Sequence, residues 1–185
     1  MTTLIFGLAL WIGAHLFKRV APGPRAALGG AGKGLVAAVA LAGIVLMVLG
    51  YRGAAFVPLY TPPPGMGHLN NLLMLIALSV FGAGAVKGVV WTRIRHPQLT
   101  AVKIWAVGHL LVNGDLASVV LFGGLLGWAV AEVVVINRAE GGWARPAPGP
   151  WKNDLKAVAI AVVVYAIAAG IHIWTGHNPF LGTYA

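Results

Sequence analysis

The sequence contains no cysteine and only four acidic residues among 185. The lack of cysteine excludes disulfides, iron–sulfur clusters, thiolate metal ligands and a cysteine nucleophile. With so few carboxylates, and with no Ser/His/Asp set or HExxH pattern, the chain also lacks the residues of hydrolytic catalysis. Charged residues make up 9% of the chain and hydrophobic residues 59%, too little polar surface for a soluble domain of this size. Lipid is therefore the expected solvent.

Apolar segments recur along the whole chain, and each approaches the ~20 residues that cross a bilayer. They fall at about 2–21, 34–50, 69–91, 97–112, 116–136 and 155–175. Helix-stopping sequences separate them, namely Pro22-Gly23-Pro24, the loop 60–65, the turn Asn113-Gly114-Asp115 and the stretch 146–150. At the turn, Gly114 is expected to be left-handed and Asp115 to cap the next helix. The pattern predicts an all-α, polytopic transmembrane bundle of about six helices, forming a single domain over residues 1–185.

Basic residues give the chain a formal charge of +9. In a soluble protein this charge would suggest a nucleic-acid partner, but here the basic residues lie between apolar segments and predict none. All but one of the 13 basic residues fall on one side of the predicted bundle. The positive-inside rule then places both termini on the outer side of the membrane, which is the periplasmic side in a bacterial inner membrane. The first segment is followed by Lys18 and Arg19 and is interpreted as a retained helix rather than a signal peptide.

Six histidines form the main functional signal, because a polar side chain at membrane depth is costly and tends to mark a site. Neutral imidazole is a suitable ligand for haem iron or a transition metal. His109 is the leading candidate, since Trp105, His109 and Asn113 share one helix face and Asn113 could orient the ring. The alternative is a structural histidine bonded to a backbone carbonyl of the next helix. His172 is similar but closer to the surface, and His15 lies toward the inner side.

A second candidate site is the basic sequence Arg93-Ile94-Arg95-His96, which precedes Pro97. Pro97 suits the first turn of a helix, where its missing N–H is not needed. The N-terminus of that helix could bind an anion or a nucleotide-like cofactor through Arg93, Arg95 and His96. Alternatively, these residues are ordinary interfacial cations, and Glu132 could pair with Arg93 or Arg95.

Three segments of the sequence resemble the NnrU family. They are Tyr60-Thr61-Pro62-Pro63-Pro64 with His68 after it, Arg95-His96-Pro97-Gln98-Leu99, and the stretch from Trp105 to Ala117. The resemblance spans the chain and implies a membrane protein associated with denitrification and nitric oxide reduction. The family is similar to plant zeta-carotene isomerase, a membrane enzyme that binds haem b through histidines. The resemblance thus implies haem b as cofactor, with His15 and His109 as axial ligands, and components of the nitric oxide reductase system as partners.

Three histidines compete in the sequence as the second axial ligand beside His109. Helical rise places His15 and His109 roughly 9 Å apart along the bilayer normal, and the usual ~20° tilt closes part of that gap. His172 matches the depth of His109 better, and His68 is a further alternative. The resemblance is compatible with a haem-dependent isomerase, or with a redox, sensing or assembly factor.

Two other functions compete with haem binding. Arg95-His96-Pro97 followed by a helix is also similar to the motif with which integral membrane methyltransferases of the isoprenylcysteine type hold S-adenosylmethionine. The paired glutamates of those enzymes are missing, because Glu132 stands alone. The remaining alternative is a membrane transport or structural protein without a cofactor.

Overall fold

The computed structural model describes residues 1–182, and helices dominate this part of the chain. They are α1 (Thr2–Val20), α2 (Pro22–Ala27), α3 (Ala31–Arg52), α4 (Met66–Val86), α5 (Pro97–Leu110), α6 (Leu116–Glu140) and α7 (Lys152–Trp174). A short 3₁₀ turn follows α4 at Val90–Arg93, and α6 contains a π-helical segment at Val119–Gly123. The described residues form no strand beyond one isolated bridge between Pro58 and Asp115. The predicted all-α class is confirmed.

Five helices, α1, α3, α4, α6 and α7, are long and apolar enough to cross a membrane. Their apolar side chains are largely exposed; on α7, for example, Val163 and Ile167 are both 59% exposed. Such surfaces are unfavourable in water but match the hydrocarbon interior of a bilayer. With only 14 residues, α5 is shorter than a full span. The chain is thus a multi-pass membrane protein, while the number of spans and the side of the termini remain predictions.

Several helix boundaries differ from the predicted ones. The sequence Pro22-Gly23-Pro24 does not merely stop α1, because Pro22 begins the short helix α2, consistent with the tolerance of proline in a first turn. The prediction that the third apolar segment, 69–91, is helical to residue 91 was wrong. The corresponding helix, α4, ends at Val86 because Lys87 adopts a left-handed conformation with φ 53°. By contrast, α3 extends beyond the predicted 34–50 at both ends.

The turn before α6 confirms one prediction and corrects another. Asp115 is the N-cap of α6, and its Oδ1 accepts a hydrogen bond of 3.0 Å from the Ser118 N–H. Gly114, however, is not among the residues with positive φ. A glycine is required here for a different reason, since the carbonyl oxygen of Tyr60 occupies the space that a Cβ would need.

The chain folds into two compact units. The first comprises residues 1–59 and 115–141, and α1 packs there against α3 and α6. Glycines allow the α1 and α3 backbones to approach closely: a Cβ on Gly7 would lie 2.6 Å from the Met47 nitrogen, and one on Gly50 2.7 Å from the Leu4 Cα. This is the small-residue packing typical of membrane helices.

The second unit comprises residues 60–114 together with the chain from 142 onward, and α4 packs there against both α5 and α7. Gly84 allows this close packing, because a Cβ at this position would lie 2.6 Å from the Gln98 amide and the Pro97 ring. In the first unit, by contrast, Gly123 and Gly127 have no atom within 4 Å of their Cβ positions.

Candidate histidine sites

Three histidines within helices make the same local hydrogen bond. The ring Nδ1 bonds to the backbone carbonyl four residues earlier: His15 to Trp11 at 2.8 Å, His109 to Trp105 at 2.9 Å and His172 to Ala168 at 2.7 Å. Since a carbonyl oxygen only accepts, Nδ1 must carry the proton, and the lone pair of the neutral imidazole is on Nε2. This tautomer and fixed ring orientation are those of a typical metal-ligating histidine.

His109 is half-buried on α5, in the second unit. Its ring lies 4.8 Å from the Trp105 ring at an interplanar angle of 49°. His172, on α7 of the same unit, lies within electrostatic range of His109 and is exposed. The structure thus places His109 and His172 in the same unit, close enough for their charges to interact.

Asn113 does not contact the His109 ring as predicted. Its Nδ2 donates a 2.8 Å hydrogen bond to the His109 backbone carbonyl, whereas the ring is oriented by the carbonyl of Trp105. The Asn113 backbone N–H bonds to the same His109 carbonyl at 3.0 Å. Asn113 therefore terminates the helix rather than orienting the imidazole.

Tyr60 is a contributor to this region that the sequence did not reveal. Its hydroxyl donates to the carbonyls of Leu110 and Asn113, the latter at 2.9 Å, and its backbone N–H donates to the Gly114 carbonyl at 3.1 Å. These bonds satisfy carbonyls that the end of α5 leaves without intrahelical partners. The turn that follows His109 is therefore held in place from outside the helix.

Asn70 on α4 is a second residue that was missed. It is 7% exposed, and its Oδ1 lies 2.8 Å from the position of a Cβ on Gly108, next to His109 in the chain. This oxygen is buried and has no hydrogen-bond partner. The same is true of Oδ1 of Asn71, although the Nδ2 of that side chain donates to the Pro179 carbonyl at 2.8 Å. Unsatisfied polar atoms of this kind are uncommon in proteins, so the second unit contains two unused acceptors.

His15 lies in the first unit, within an aromatic cluster. Its ring is 4.1 Å from Trp11 and 4.8 Å from Trp128, and the two indoles pack edge to face at 5.3 Å. Trp128 is 6% exposed. The imidazole is thus bordered by tryptophans from α1 and α6.

Glu132 lies one turn beyond Trp128 on α6. Its electrostatic neighbours are His15 and Arg19, and its pairing with Arg93 or Arg95, which belong to the second unit, stays a prediction. The buried Trp11 Nε1 has no hydrogen-bond partner, and the Glu132 side chain adjoins that of Trp128. In the first unit, the histidine therefore has both aromatic and polar neighbours.

A short repeat could have revealed the tryptophan beside His15. The sequences Trp11-Ile12-Gly13-Ala14-His15 and Trp105-Ala106-Val107-Gly108-His109 share the spacing Trp-x-x-x-His, and each unit contains one copy. In a helix this spacing places the histidine one turn after the tryptophan. Trp128 and Glu132 come from a distant part of the chain, and no local signal connects them with His15.

The other predicted site residues are dispersed. His68 is exposed, and its Nε2 lies 3.0 Å from the Cβ position of Gly182. His96 is the N-cap residue of α5, and Pro97 begins that helix as predicted. Arg93 ends the 3₁₀ turn, two residues before Arg95. Within residues 1–182, no three His, Asp or Glu side chains converge as a metal site would require, and the methyltransferase alternative remains a prediction.

Apolar helices of spanning length, with the polar side chains bonded largely to backbone carbonyls, define a multi-pass α-helical membrane protein. Within this class, the model of the NnrU protein family matches residues 3–179. The chain belongs to the NnrU family, as the sequence motifs predicted. No curated protein and no solved structure is significantly similar to it.

Proposed function

We propose that this NnrU protein binds haem b in its second unit, with His109 and His172 as axial ligands. It would serve nitrogen-oxide metabolism in the bacterial inner membrane as a redox, sensing or assembly factor for the nitric oxide reductase system. The observation that carries the proposal is that His109 and His172 lie in one unit and have the same tautomer. In both, Nδ1 donates to a carbonyl of the same helix, which leaves the metal-ligating lone pair on Nε2.

The donor set of the second unit fits a haem. Two neutral imidazoles are an established ligand set for haem iron, and a haem requires only two protein ligands, so the lack of a three-residue cluster among the described side chains is no obstacle. His172 is exposed on α7 and so accessible to a cofactor.

A bound haem would supply one-electron transfer. The residues of the chain orient the two imidazoles. The Trp105 carbonyl keeps the proton on Nδ1 of His109, and the Ala168 carbonyl does the same for His172. The Tyr60 hydroxyl secures the turn that follows His109. Such second-sphere hydrogen bonds typically change metal affinity 10–100-fold when they are removed.

The experiment is an absorption spectrum of the full chain, purified in detergent from cells supplied with a haem precursor. We expect a Soret band and a pyridine haemochrome of the b type. H109A should abolish the band. H172A should convert a low-spin, six-coordinate spectrum into a high-spin, five-coordinate one. H177A is the matched control, because His177 is exposed and lies beyond α7.

Three outcomes would contradict this assignment. A colourless protein from haem-supplied cells would overturn haem binding altogether. An unchanged spectrum in both H109A and H172A would overturn the ligand pair. H15A is expected to retain the band, so its loss in that variant alone would assign the ligand role to His15, in line with the family resemblance. Size-exclusion profiles identical to that of the parent protein would show that each variant is folded.

A further inference from the structure

In the second unit, the chain beyond the end of α4 is bonded to the beginning of α7. The Asp154 carboxylate accepts hydrogen bonds from two consecutive backbone amides, from Val89 at 2.8 Å and from Val90 at 3.2 Å. The Asn153 Nδ2 donates to the Val86 carbonyl at 2.8 Å, and the Gly149 N–H donates to the Gly88 carbonyl at 3.2 Å. We call this structure, formed by residues 86–93 and 149–156, the clasp.

The clasp concentrates positive charge. Its four basic side chains, Lys87, Arg93, Lys152 and Lys156, are all exposed. Asp154 is the only acidic residue in the sequence of the second unit, and its two oxygens are already engaged with backbone N–H groups. The four cations therefore outnumber the one carboxylate, which is held by the backbone of the clasp.

The clasp also lies at the depth of lipid headgroups. It joins the last residue of α4 to the first turn of α7, and both helices are of membrane-spanning length, so their ends coincide with the bilayer interface. Apolar side chains are exposed beside the cations: Trp151 is 61% exposed and Val90 40%. The Lys87 Nζ lies 5.5 Å from the centre of the Trp91 ring, an arrangement typical of an interfacial aromatic residue.

We propose that the clasp is a binding site for the phosphate headgroup of an anionic phospholipid. Lys87, Arg93, Lys152 and Lys156 provide the charge that such a headgroup requires. Trp151 and Val90 are positioned to contact the glycerol and the first acyl methylenes. A free phosphate would use only the cations, whereas the exposed apolar residues beside them match the amphipathic character of a lipid.

The test measures which lipids the purified full chain retains. Native mass spectrometry in a neutral detergent compares phosphatidylglycerol with phosphatidylcholine of the same acyl chains, each added in equal amounts. We expect preferential retention of phosphatidylglycerol. The double variant K152Q/K156Q should weaken this preference about 25-fold, because each of the two interfacial cations contributes about a factor of five. The matched control is R52Q/R138Q, which removes two exposed basic residues of the first unit.

Each alternative outcome would overturn the proposal. Equal retention of the two lipids would show that the clasp has no preference for an anionic headgroup. An equal loss in K152Q/K156Q and in the control variant would show that only total charge matters. Displacement of phosphatidylglycerol by millimolar inorganic phosphate would assign the site to a free anion. If K152Q/K156Q fails to fold, R93Q provides the same comparison from the other half of the clasp.

Discussion

The two units contain the same Trp-x-x-x-His element, with the same hydrogen bond from the imidazole to the tryptophan carbonyl, but they surround it differently. In the first unit, His15 is bordered by two indoles and a glutamate. In the second unit, His109 has another histidine within electrostatic range. A local sequence element therefore sets the tautomer and orientation of an imidazole. Its neighbours from other helices determine whether a second ligand is available, and on this ground we propose the second unit as the haem site.

The units also differ in how their helices approach each other, and this difference gives the largest predicted effect. In G50A, the new methyl group would meet the backbone of Leu4 in the first unit, with the Leu4 Cα at 2.7 Å. In G108A, it would meet the Met74 methyl group, which can move, and the Asn70 Oδ1 at 2.8 Å. We expect G50A to destabilise the protein by about 3 kcal/mol and G108A by about 1 kcal/mol.

Thermal unfolding in detergent, followed by tryptophan fluorescence, measures this contrast. In a protein of this size, each kcal/mol lost from the free energy of unfolding is expected to lower the melting temperature by about 2–4 °C. G123A is the control, since a Cβ at Gly123 would meet no atom within 4 Å. Equal melting temperatures of G50A and G108A would show that backbone contact in the first unit is not the tighter restraint.

Tyrosine hydroxyls in the two units provide the second test. Tyr60 donates to two backbone carbonyls at the end of α5, whereas Tyr51 hydrogen-bonds only with Ser118, at 2.8 Å. Y60F leaves backbone acceptors without this donor, so we expect a loss of about 1.5 kcal/mol, against about 0.5–1 kcal/mol for Y51F. The measurement is again the melting temperature. A larger loss in Y51F would contradict the importance assigned to the turn after His109.

The third test concerns the cap of α6 in the first unit. D115A removes the acceptor for the Ser118 N–H, and loss of an N-cap typically destabilises a protein by about 1 kcal/mol. D115N retains a side-chain oxygen and should recover most of this stability. If D115A and D115N have equally low melting temperatures, the charge of Asp115, rather than its capping oxygen, is responsible for the stabilisation.

The smallest effect is expected for the ion pair of the first unit. Arg19 Nη2 and Glu140 Oε1 are 2.7 Å apart, but the side chains are 25% and 49% exposed. Exposed pairs contribute between zero and about 1 kcal/mol and are screened by salt. R19Q should therefore shift the melting temperature by no more than about 4 °C, and less in high salt. A large, salt-independent shift would indicate that Arg19 instead stabilises Glu132, its other neighbour in this unit.

Local chemistry explains which parts of the fold were predictable. Pro97 as the first residue of α5 and Asp115 as the cap of α6 were correct because both depend on groups within one turn of the chain. The early end of α4 was missed, since nothing adjacent to Lys87 requires a left-handed residue. The bonds of Asp154 to Val89 and Val90, which hold the following segment, come from α7, more than 60 residues away.

The histidine sites follow the same division. The Trp-x-x-x-His spacing is visible in the sequence and orients His15 and His109 through one helical turn. The sequence also determined the membrane environment and the family, because both depend on composition and on residue order. Only the tertiary structure decided that Trp128 and Glu132 accompany His15 and that His172 accompanies His109. These pairs join residues far apart in the chain, and helix packing brings them together.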